Sequence, residues 1–516
     1  MALPNRTEYS ARNAAVGPAA KVLCILFGYV TRIVFIRLLS TDYVGINGLL
    51  SNVLGAFTLP MLCVDTALVY AMYGPVAQGD QARQRQLMRL YRRVYLVFAL
   101  AIAAAGAALY PFLPKLIGRP FEGLGLIYIL FLATTVSTYL WAAPGLVFLA
   151  YQRNYINELL TAGALMLQYG LQIGVLVVTR NYLLFLCMGI LFNLARNLVL
   201  SLLCRREYPF LWGETEPPLP KADQGSILRN IRAMLLHKTG GVIINCTDSL
   251  ILTNLFSLMA VGCYANYYLI IGSAEQVLRR VIYGVTASVG NMGVTEDRTF
   301  VARIFRVCVF AAFWIYTTAA ATLFAVLACF IEVSFGADYV LPQALTLVLC
   351  LNFFLNGMRN ATLVFRDALG LFWYDRWKTV IEALVNLGVS ILLAHVMGMA
   401  GVFLGTTISI VLVSFWVEPL VLYRQYLKTP LLPYFTRFAA YFLTAAAATG
   451  LAWLLCRWMP GGVPGLLLRL PVSLAVPTGL MALIWRRSQE FRTLCGIALP
   501  LLRRFLGRIR KEERND

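Results

Sequence analysis

The chain has 516 residues, of which 60% are hydrophobic and 13% are charged, with a net charge of +20 and a mean hydropathy of +0.72. A soluble globular protein carries about a quarter of its residues as charged side chains, so the composition excludes that class. Apolar runs of about 20 or more residues recur along the chain and predict an all-α polytopic membrane protein. The basic residues cluster between these runs, which favours contact with lipid headgroups over binding to nucleic acid.

The apolar runs predict about 14 transmembrane helices. In chain order, the first six are predicted at residues 13–38, 44–74, 92–112, 124–150, 155–178 and 181–204. The next six are predicted at residues 230–256, 260–281, 305–331, 340–366, 377–396 and 400–423, and the last two at 434–457 and 465–486. Pro60 is expected to bend the second helix, because proline removes a backbone hydrogen bond.

The segment at residues 206–226 divides the predicted helices into two sets, since its prolines, glycines and charges indicate a solvated linker. We therefore expect an N-terminal six-helix lobe at residues 1–205 and a C-terminal six-helix lobe at residues 227–428. Two additional transmembrane helices at residues 429–487 and a basic cytoplasmic tail at residues 488–516 complete the predicted organisation.

The second lobe carries traces of an internal repeat of the first. A shift of 217 residues places Lys21 on Lys238 and Val44–Gly45 on Val261–Gly262. Each match is short enough to arise by chance, but together they favour two parallel repeats, because each lobe has an even number of helices. Parallel repeats predict a pseudo-twofold axis along the membrane normal, as in transporters whose two lobes rock about a central site.

The distribution of Lys and Arg predicts the orientation in the membrane. With a cytoplasmic N-terminus, the segments on the cytoplasmic side carry 33 Lys and Arg residues and the outer loops carry 5. This imbalance follows the positive-inside rule and places both termini in the cytoplasm. The tail at residues 490–516 alternates apolar residues with arginines and is expected to bind anionic lipid at the membrane surface. A dispensable basic tail fits the same pattern nearly as well.

Polar side chains inside the predicted spans are the candidate functional residues. A charge in the membrane interior costs about 2.5–3.5 kcal/mol and usually faces a cavity or a partner. The cations inside the spans are Lys21, Arg32, Arg37, Arg196, Lys238 and Arg359, and the acids are Asp65, Glu158, Asp248, Glu275, Glu382 and Glu418. Amides at helical spacing add to them, namely Asn352, Asn356 and Asn360 in the tenth span and Asn245 in the seventh.

Two interpretations apply to these residues. A hydrated cavity is favoured for Lys21, Lys238 and Arg359, and a structural role for Arg196, Glu158 and Glu418. Snorkelling of the two lysines to the membrane surface is the alternative for that pair. A cavity lined mainly by cations needs an anionic cargo, and the absence of a GxxxxGK[ST] motif argues against transport driven by ATP. A phosphorylated lipid headgroup that carries carbohydrate fits these requirements.

Three segments in chain order carry a family resemblance. The first is TRIVFIRLLSTDYVGINGLLSNVLG at residues 31–55, and the second is the HKxGxxxxNxxD pattern at residues 237–248. The third is FRDALGLFWYDRWKTVIEALVN at residues 365–386. Together they resemble bacterial oligosaccharide flippases, which are also called polysaccharide transporters or Wzx-type proteins. The resemblance extends from about residue 6 to residue 426. It implies the multidrug/oligosaccharidyl-lipid/polysaccharide (MOP) superfamily, with two lobes, alternating access and a cationic central cavity.

The resemblance also implies the cargo, and we assign the intramembrane polar residues of this chain to it. The cargo would be a polyprenyl-diphosphate-linked oligosaccharide, moved from the inner to the outer leaflet of the bacterial cytoplasmic (inner) membrane for cell-surface polysaccharide biosynthesis. The cationic residues assigned to this cargo are Lys21, Arg32, Arg37, Lys238 and Arg359. Asp65 and Asp248 would balance charge or sense a coupling ion, H+ or Na+. The other polar or ion-sensing candidates are Asn245, Glu275, Asn356 and Asn360.

Other functions are weighed against this one. An ion-coupled drug or metabolite antiporter of the same superfamily is the alternative transporter, although 14 spans and a basic cavity count against it. A membrane glycan polymerase or ligase is less favoured, because the longest outer loop, residues 113–123, is short for a catalytic site and no DxD pair is present. The 11 cysteines form no CxxC pair and the two histidines lie far apart, so we expect no metal, no cofactor and no enzymatic activity.

Overall fold

The computed structural model describes residues 6–114, 121, 123–151, 153–213, 217, 219–220, 223, 225, 251–253, 255–371 and 374–496. Within these ranges the regular secondary structure is entirely helical. Nine of the described helices are long and apolar enough to cross a membrane. The predicted class, an all-α polytopic membrane protein, is therefore confirmed.

The described helices are labelled α1 to α16 in chain order. In the first half they are α1 Arg6–Leu38, α2 Thr41–Ala56, α3 Leu59–Gln78, α4 Gln81–Leu109, α5 Leu124–Ser137, α6 Gly145–Ala150, α7 Asn154–Thr179 and α8 Tyr182–Glu207. In the second half they are α9 Leu258–Tyr283, α10 Thr286–Thr295, α11 Arg298–Phe335, α12 Gln343–Ala368, α13 Lys378–Met397, α14 Met399–Leu427, α15 Leu432–Arg457 and α16 Gly462–Trp485.

These helices lie at 13 of the 14 predicted spans. The remaining one, predicted at residues 230–256, falls mostly outside the described residues. The agreement has a local cause. In lipid, a backbone must satisfy its own hydrogen bonds within each segment, so a sufficiently long apolar run becomes a helix whatever its neighbours are.

Two predicted spans are interrupted in the structure. The second span breaks between Ala56 and Leu59, and Pro60 lies in the first turn of α3, where its missing N–H costs no helical hydrogen bond. The Thr58 hydroxyl donates to the Gly55 carbonyl at 2.6 Å and satisfies one acceptor at the end of α2. The predicted bend at Pro60 is thus a helix break. The fourth predicted span is likewise divided into α5 and α6.

The chain forms two compact units, residues 1–262 and residues 263–516. In the first unit, α3, α4, α6 and α8 surround a core in which Met88, Tyr91 and Phe148 are fully buried. Large apolar side chains on α7, such as Leu167 and Val178, point outward. Lipid tails would cover these side chains, as expected for a multi-pass membrane protein.

The second unit is built around α11 and α12. Phe310, Phe313 and Phe365 are fully buried in its core, and α15 and α16 pack against α11. The division at residue 262 lies outside the predicted linker at 206–226. Because residues 226–250 lie outside the described part of the chain, the predicted lobe boundaries stay predictions.

Gly405 allows α13 and α14 to pack closely. A Cβ atom at this position would lie 2.1 Å from Ser390 Oγ and 2.6 Å from Ser390 Cα. We expect Gly405→Ala to destabilise the protein by about 1–3 kcal/mol, because the backbone of α13 would have to move. The apparent melting temperature in detergent measures this effect. Gly388→Ala on α13 is the control, since nothing lies within 4 Å of its Cβ position. Equal melting temperatures for the two variants would contradict the close packing.

The predicted orientation can be tested at three helix ends. Ser40 lies between α1 and α2, Ala337 follows α11, and Gln78 is the last residue of α3. If the N-terminus is cytoplasmic, a membrane-impermeant maleimide should label Ser40→Cys and Ala337→Cys in intact cells, but Gln78→Cys only after permeabilisation. The parent chain gives the background from native cysteines. Labelling on the opposite sides would rule out the predicted topology.

Candidate functional site

Helix α1 carries three of the candidate cargo-binding cations. It is continuous from Arg6 to Leu38, so Lys21 and Arg32 lie about 16 Å apart along its axis and nearly on one face. Lys21 and Arg32 are half-buried, whereas Arg37, in the last turn, is exposed. Two cations on one helix face can contact separate groups of an elongated anionic molecule.

Arg32 is oriented by uncharged groups from α1, α2 and α8. Its Nη1 donates to Asn47 Oδ1 at 3.1 Å, and Asn47 Nδ2 donates to the Tyr182 hydroxyl at 3.1 Å. The guanidinium also lies 5.5 Å from the centre of the Phe35 ring, which packs edge-on against Tyr182. These partners fix the position of Arg32 and carry no charge themselves.

Lys21 lies where α1 packs along α7. Glu158 on α7 lies on the same side of α1, since Glu158 and Lys21 are both close to Cys24, one turn further along that helix. Within the described part of the chain, no carboxylate lies within 4 Å of the Lys21 ammonium. Glu158 instead accepts a hydrogen bond from Asn154. A phosphate could therefore approach the Lys21 ammonium without displacing a carboxylate of the described residues.

Asp65 lies against a different helix from Arg32. Its Oδ1 accepts a hydrogen bond from the Tyr95 hydroxyl on α4 at 2.6 Å. The structure thus brings Asp65 next to α4, whereas Arg32 contacts α2 through Asn47. A charge-balancing or ion-sensing role for Asp65 stays a prediction.

The second unit contains a buried cluster of four charges, here called the charge quartet: Arg359, Lys378, Glu382 and Glu418. Arg359 donates to Glu418 at 2.7 Å and to Glu382 at 3.1 Å, and Lys378 also binds Glu418. Glu418 is 1% exposed, Glu382 5% and Lys378 7%. The quartet ties α12, α13 and α14 together and has a formal charge of zero.

Helix α14 is irregular around Glu418. Two π-helical segments, Ile410–Ser414 and Tyr423–Leu427, lie on either side of it, and Pro419 follows it directly. Turns of this kind are rare and occur often at functional sites. Here they flank the carboxylate that accepts from both Arg359 and Lys378.

The quartet changes the interpretation of Arg359. An arginine already paired with two carboxylates would have to give up those buried contacts to bind a diphosphate, and breaking a buried ion pair is costly. The contacts therefore favour a structural role for Arg359 over direct contact with the cargo. The pairing of Glu418 agrees with the structural role expected for it.

The amides of the tenth span have separate partners. Asn356 accepts a hydrogen bond from Arg359 at 3.1 Å. Asn360 donates to Glu275 at 3.1 Å and to the Tyr316 hydroxyl at 2.9 Å. The structure thus brings together Glu275 and Asn360, two of the predicted ion-sensing residues, in a second polar cluster.

Three candidate residues, Lys238, Asn245 and Asp248, lie outside the described residues. Their assignment stays a prediction. Other contributors were missed in the sequence. Lys378 sits at the edge of its predicted span and was counted with the loop. Its spacing of four residues from Glu382, one helical turn, is a signal that could have identified it. No sequence signal singles out Tyr182 as a partner of Asn47.

Comparisons with known proteins place this geometry in a structural class. No protein-family model matches the chain, and no curated protein matches it. Among solved structures, the lipid II flippase MurJ in an inward closed conformation has a TM-score of 0.63 at 12% identity, covering 91% of this chain and 98% of that chain. The chain has the fold of this flippase structure. That fold agrees with the resemblance to flippases.

Multidrug transporters of the MOP superfamily have the same fold. An inward-facing MATE family transporter of the superfamily has a TM-score of 0.61 at 14% identity, covering 79% of this chain and 98% of that chain. A mutant of the Vibrio cholerae MATE transporter VcmN has a TM-score of 0.55 at 13% identity, covering 83% and 99%. All three are described as transporters or flippases, and each shares its fold with this chain.

Proposed function

We propose that the chain is a flippase that moves a polyprenyl-diphosphate-linked oligosaccharide from the inner to the outer leaflet by alternating access. The observation that carries the proposal is the basic face of α1. Arg32 donates to Asn47 and lies over Phe35 there, and Lys21 lies on nearly the same face. A diphosphate carries several negative charges, and cations in apolar surroundings bind such a group more strongly than cations in water.

The fold comparison supports a lipid-linked cargo. The structure described as a lipid II flippase covers 91% of this chain, whereas the inward-facing MATE transporter covers 79%. A flippase would act in the bacterial cytoplasmic membrane, and the Lys and Arg distribution predicts that both termini lie on its cytoplasmic side. The sequence resemblance adds cell-surface polysaccharide biosynthesis as the process.

An ion-coupled drug or metabolite antiporter is the second candidate, and one contact favours it. Glu275 lies inside the second unit and accepts a hydrogen bond from Asn360. A carboxylate among apolar helices can bind a proton or Na+ and couple that ion to transport. The same group could energise a flippase, so it does not by itself decide between the two cargos.

Reconstitution in proteoliposomes tests the proposal. A fluorescent polyprenyl-diphosphate-linked saccharide should cross the bilayer faster with the protein than in protein-free vesicles, as measured by its accessibility to a membrane-impermeant quencher. The matched lipid without the diphosphate, a polyprenyl saccharide, should not be accelerated. Proton-driven efflux of a cationic dye without acceleration of the diphosphate lipid would instead support the antiporter.

A further inference from the structure

A small cavity opens in the second unit where α11, α14 and α15 meet. It has a volume of about 190 Å³. Two arginines line it, Arg306 from α11 and Arg437 from α15, together with Thr429 from the connection between α14 and α15. The other lining groups that matter here are the aromatic side chains Phe305, Tyr423, Tyr434 and Tyr441. The cavity thus combines two cationic groups with a wall of aromatic side chains.

The two arginines keep positive charge available in this cavity. Within the described residues, Arg306 has no carboxylate within 4 Å, and Arg437 pairs with Glu490 through Nη1 alone. A guanidinium has five N–H donors, so Arg437 retains several for another acceptor. Two arginines against one carboxylate leave a net positive charge, which would attract a phosphate.

The aromatic residues form a rigid apolar wall. Phe305 stacks with Tyr434 at a centroid distance of 6.1 Å, and Tyr423 lies 5.9 Å from the same Tyr434 ring. Phe305 and Tyr434 are buried, so the wall does not depend on exposed, mobile side chains. Such a wall suits the glycerol and first methylene groups of a lipid, and free phosphate would leave it uncovered.

The position along the helices also fits a lipid headgroup. Helix α11 has 38 residues and is about 57 Å long, well beyond the roughly 30 Å of the hydrocarbon core. Arg306 lies eight residues from its beginning, and Arg437 lies five residues from the beginning of α15. Both helix beginnings belong to segments that the Lys and Arg distribution assigns to the cytoplasmic side.

We propose that this cavity binds the phosphate of an anionic glycerophospholipid from the cytoplasmic leaflet. Arg306 and Arg437 would hold the phosphate, and the aromatic wall would hold the glycerol end of the acyl chains. Basic pockets between membrane helices on the cytoplasmic side recognise anionic headgroups in this way. At about 190 Å³ the cavity is smaller than a site for a drug-sized ligand, so it is not a site for the oligosaccharide cargo. The proposal does not depend on the identity of that cargo.

Native mass spectrometry of the full-length protein in detergent tests the site. Dioleoylphosphatidylglycerol has a net negative charge and dioleoylphosphatidylcholine has none. The first should bind at least about tenfold more tightly, because each arginine near an anionic headgroup contributes about 1 kcal/mol to binding. The Arg306→Gln, Arg437→Gln double variant should lose roughly 30-fold in affinity for phosphatidylglycerol. Arg306→Lys keeps the charge and should retain most of the binding.

Two controls keep the proposal falsifiable. Arg303→Gln removes the same charge from the same helix but does not line the cavity, so it should have little effect. If Arg303→Gln and Arg306→Gln lower the affinity for phosphatidylglycerol equally, the binding depends only on the general positive charge of the surface, and the proposal is overturned. Binding of inorganic phosphate that displaces phosphatidylglycerol completely would overturn the assignment to a lipid, because free phosphate makes no contact with the aromatic wall.

Discussion

Glu418→Gln is expected to lower the free energy of unfolding by about 3–5 kcal/mol, the usual cost of removing one partner from a buried ion pair. The substitution leaves Arg359 and Lys378 with Glu382 as the only carboxylate of the charge quartet. Two buried cations would then share one anion in surroundings that solvate charge poorly. The apparent melting temperature in detergent should fall, and less folded protein should reach the membrane.

A surface pair provides the control for this prediction. Glu490→Gln removes the partner of Arg437. Because the Arg437 side chain is 43% exposed and that of Glu490 12%, against 1% for Glu418, the effect should stay within about 1 kcal/mol. The Arg359→Gln, Glu418→Gln double variant should be less destabilised than the sum of the two single variants, because it removes a cation together with its anion. If the Glu418→Gln variant has the same apparent melting temperature as the parent protein, the charge quartet does not hold α12, α13 and α14 together.

The second large effect is expected on transport, at the basic face of α1. Lys21→Gln or Arg32→Gln should each slow flipping of the diphosphate lipid by about ten- to a hundredfold, since a hydrogen bond to a charged group contributes about 1.5–3 kcal/mol. Protein level in the membrane should stay unchanged, because Gln keeps hydrogen-bonding capacity at both positions and avoids the cost of a buried charge. Lys21→Arg should retain more activity than Lys21→Gln.

The predicted repeat extends this test to Lys238. If Lys21 and Lys238 are equivalent, both would contact one diphosphate, and the Lys21→Gln, Lys238→Gln double variant should flip almost no cargo. If the lysines only snorkel, Gln would be tolerated, since an amide avoids the cost of a buried cation. Arg196→Gln, at a position interpreted as structural, serves as the matched control for loss of an intramembrane cation. Near-normal flipping by the double variant would refute the cavity assignment of both lysines.

A substitution at Asn47 tests whether this residue only orients Arg32 or itself contacts the cargo. Asn47→Ala removes the group that accepts from Arg32 and donates to Tyr182, but it removes no charge. We expect a smaller loss of transport than with Arg32→Gln, together with weaker binding of the diphosphate lipid. A loss as large as that of Arg32→Gln would assign Asn47 itself to the cargo.

The sequence by itself determined the helices and the membrane class. Helices α1, α7 and α15 follow predicted spans within a few residues at most ends, and Pro60 marks a real break. Each of these features is local, because a segment in lipid satisfies its backbone hydrogen bonds internally and proline, which lacks an N–H, favours the first turn of a helix over its interior. Apolar length and proline position are properties of a segment and need no knowledge of its neighbours.

Only the tertiary structure decided which polar side chains meet. Arg359 and Glu418 are 59 residues apart in sequence, and Asn47 and Tyr182 are 135 apart. Hydropathy records how apolar a helix is, but contact between two side chains depends on how the helices rotate and which faces they present. Arg359 therefore looked like a cavity cation in the sequence, whereas in the folded second unit it is paired with carboxylates from α13 and α14.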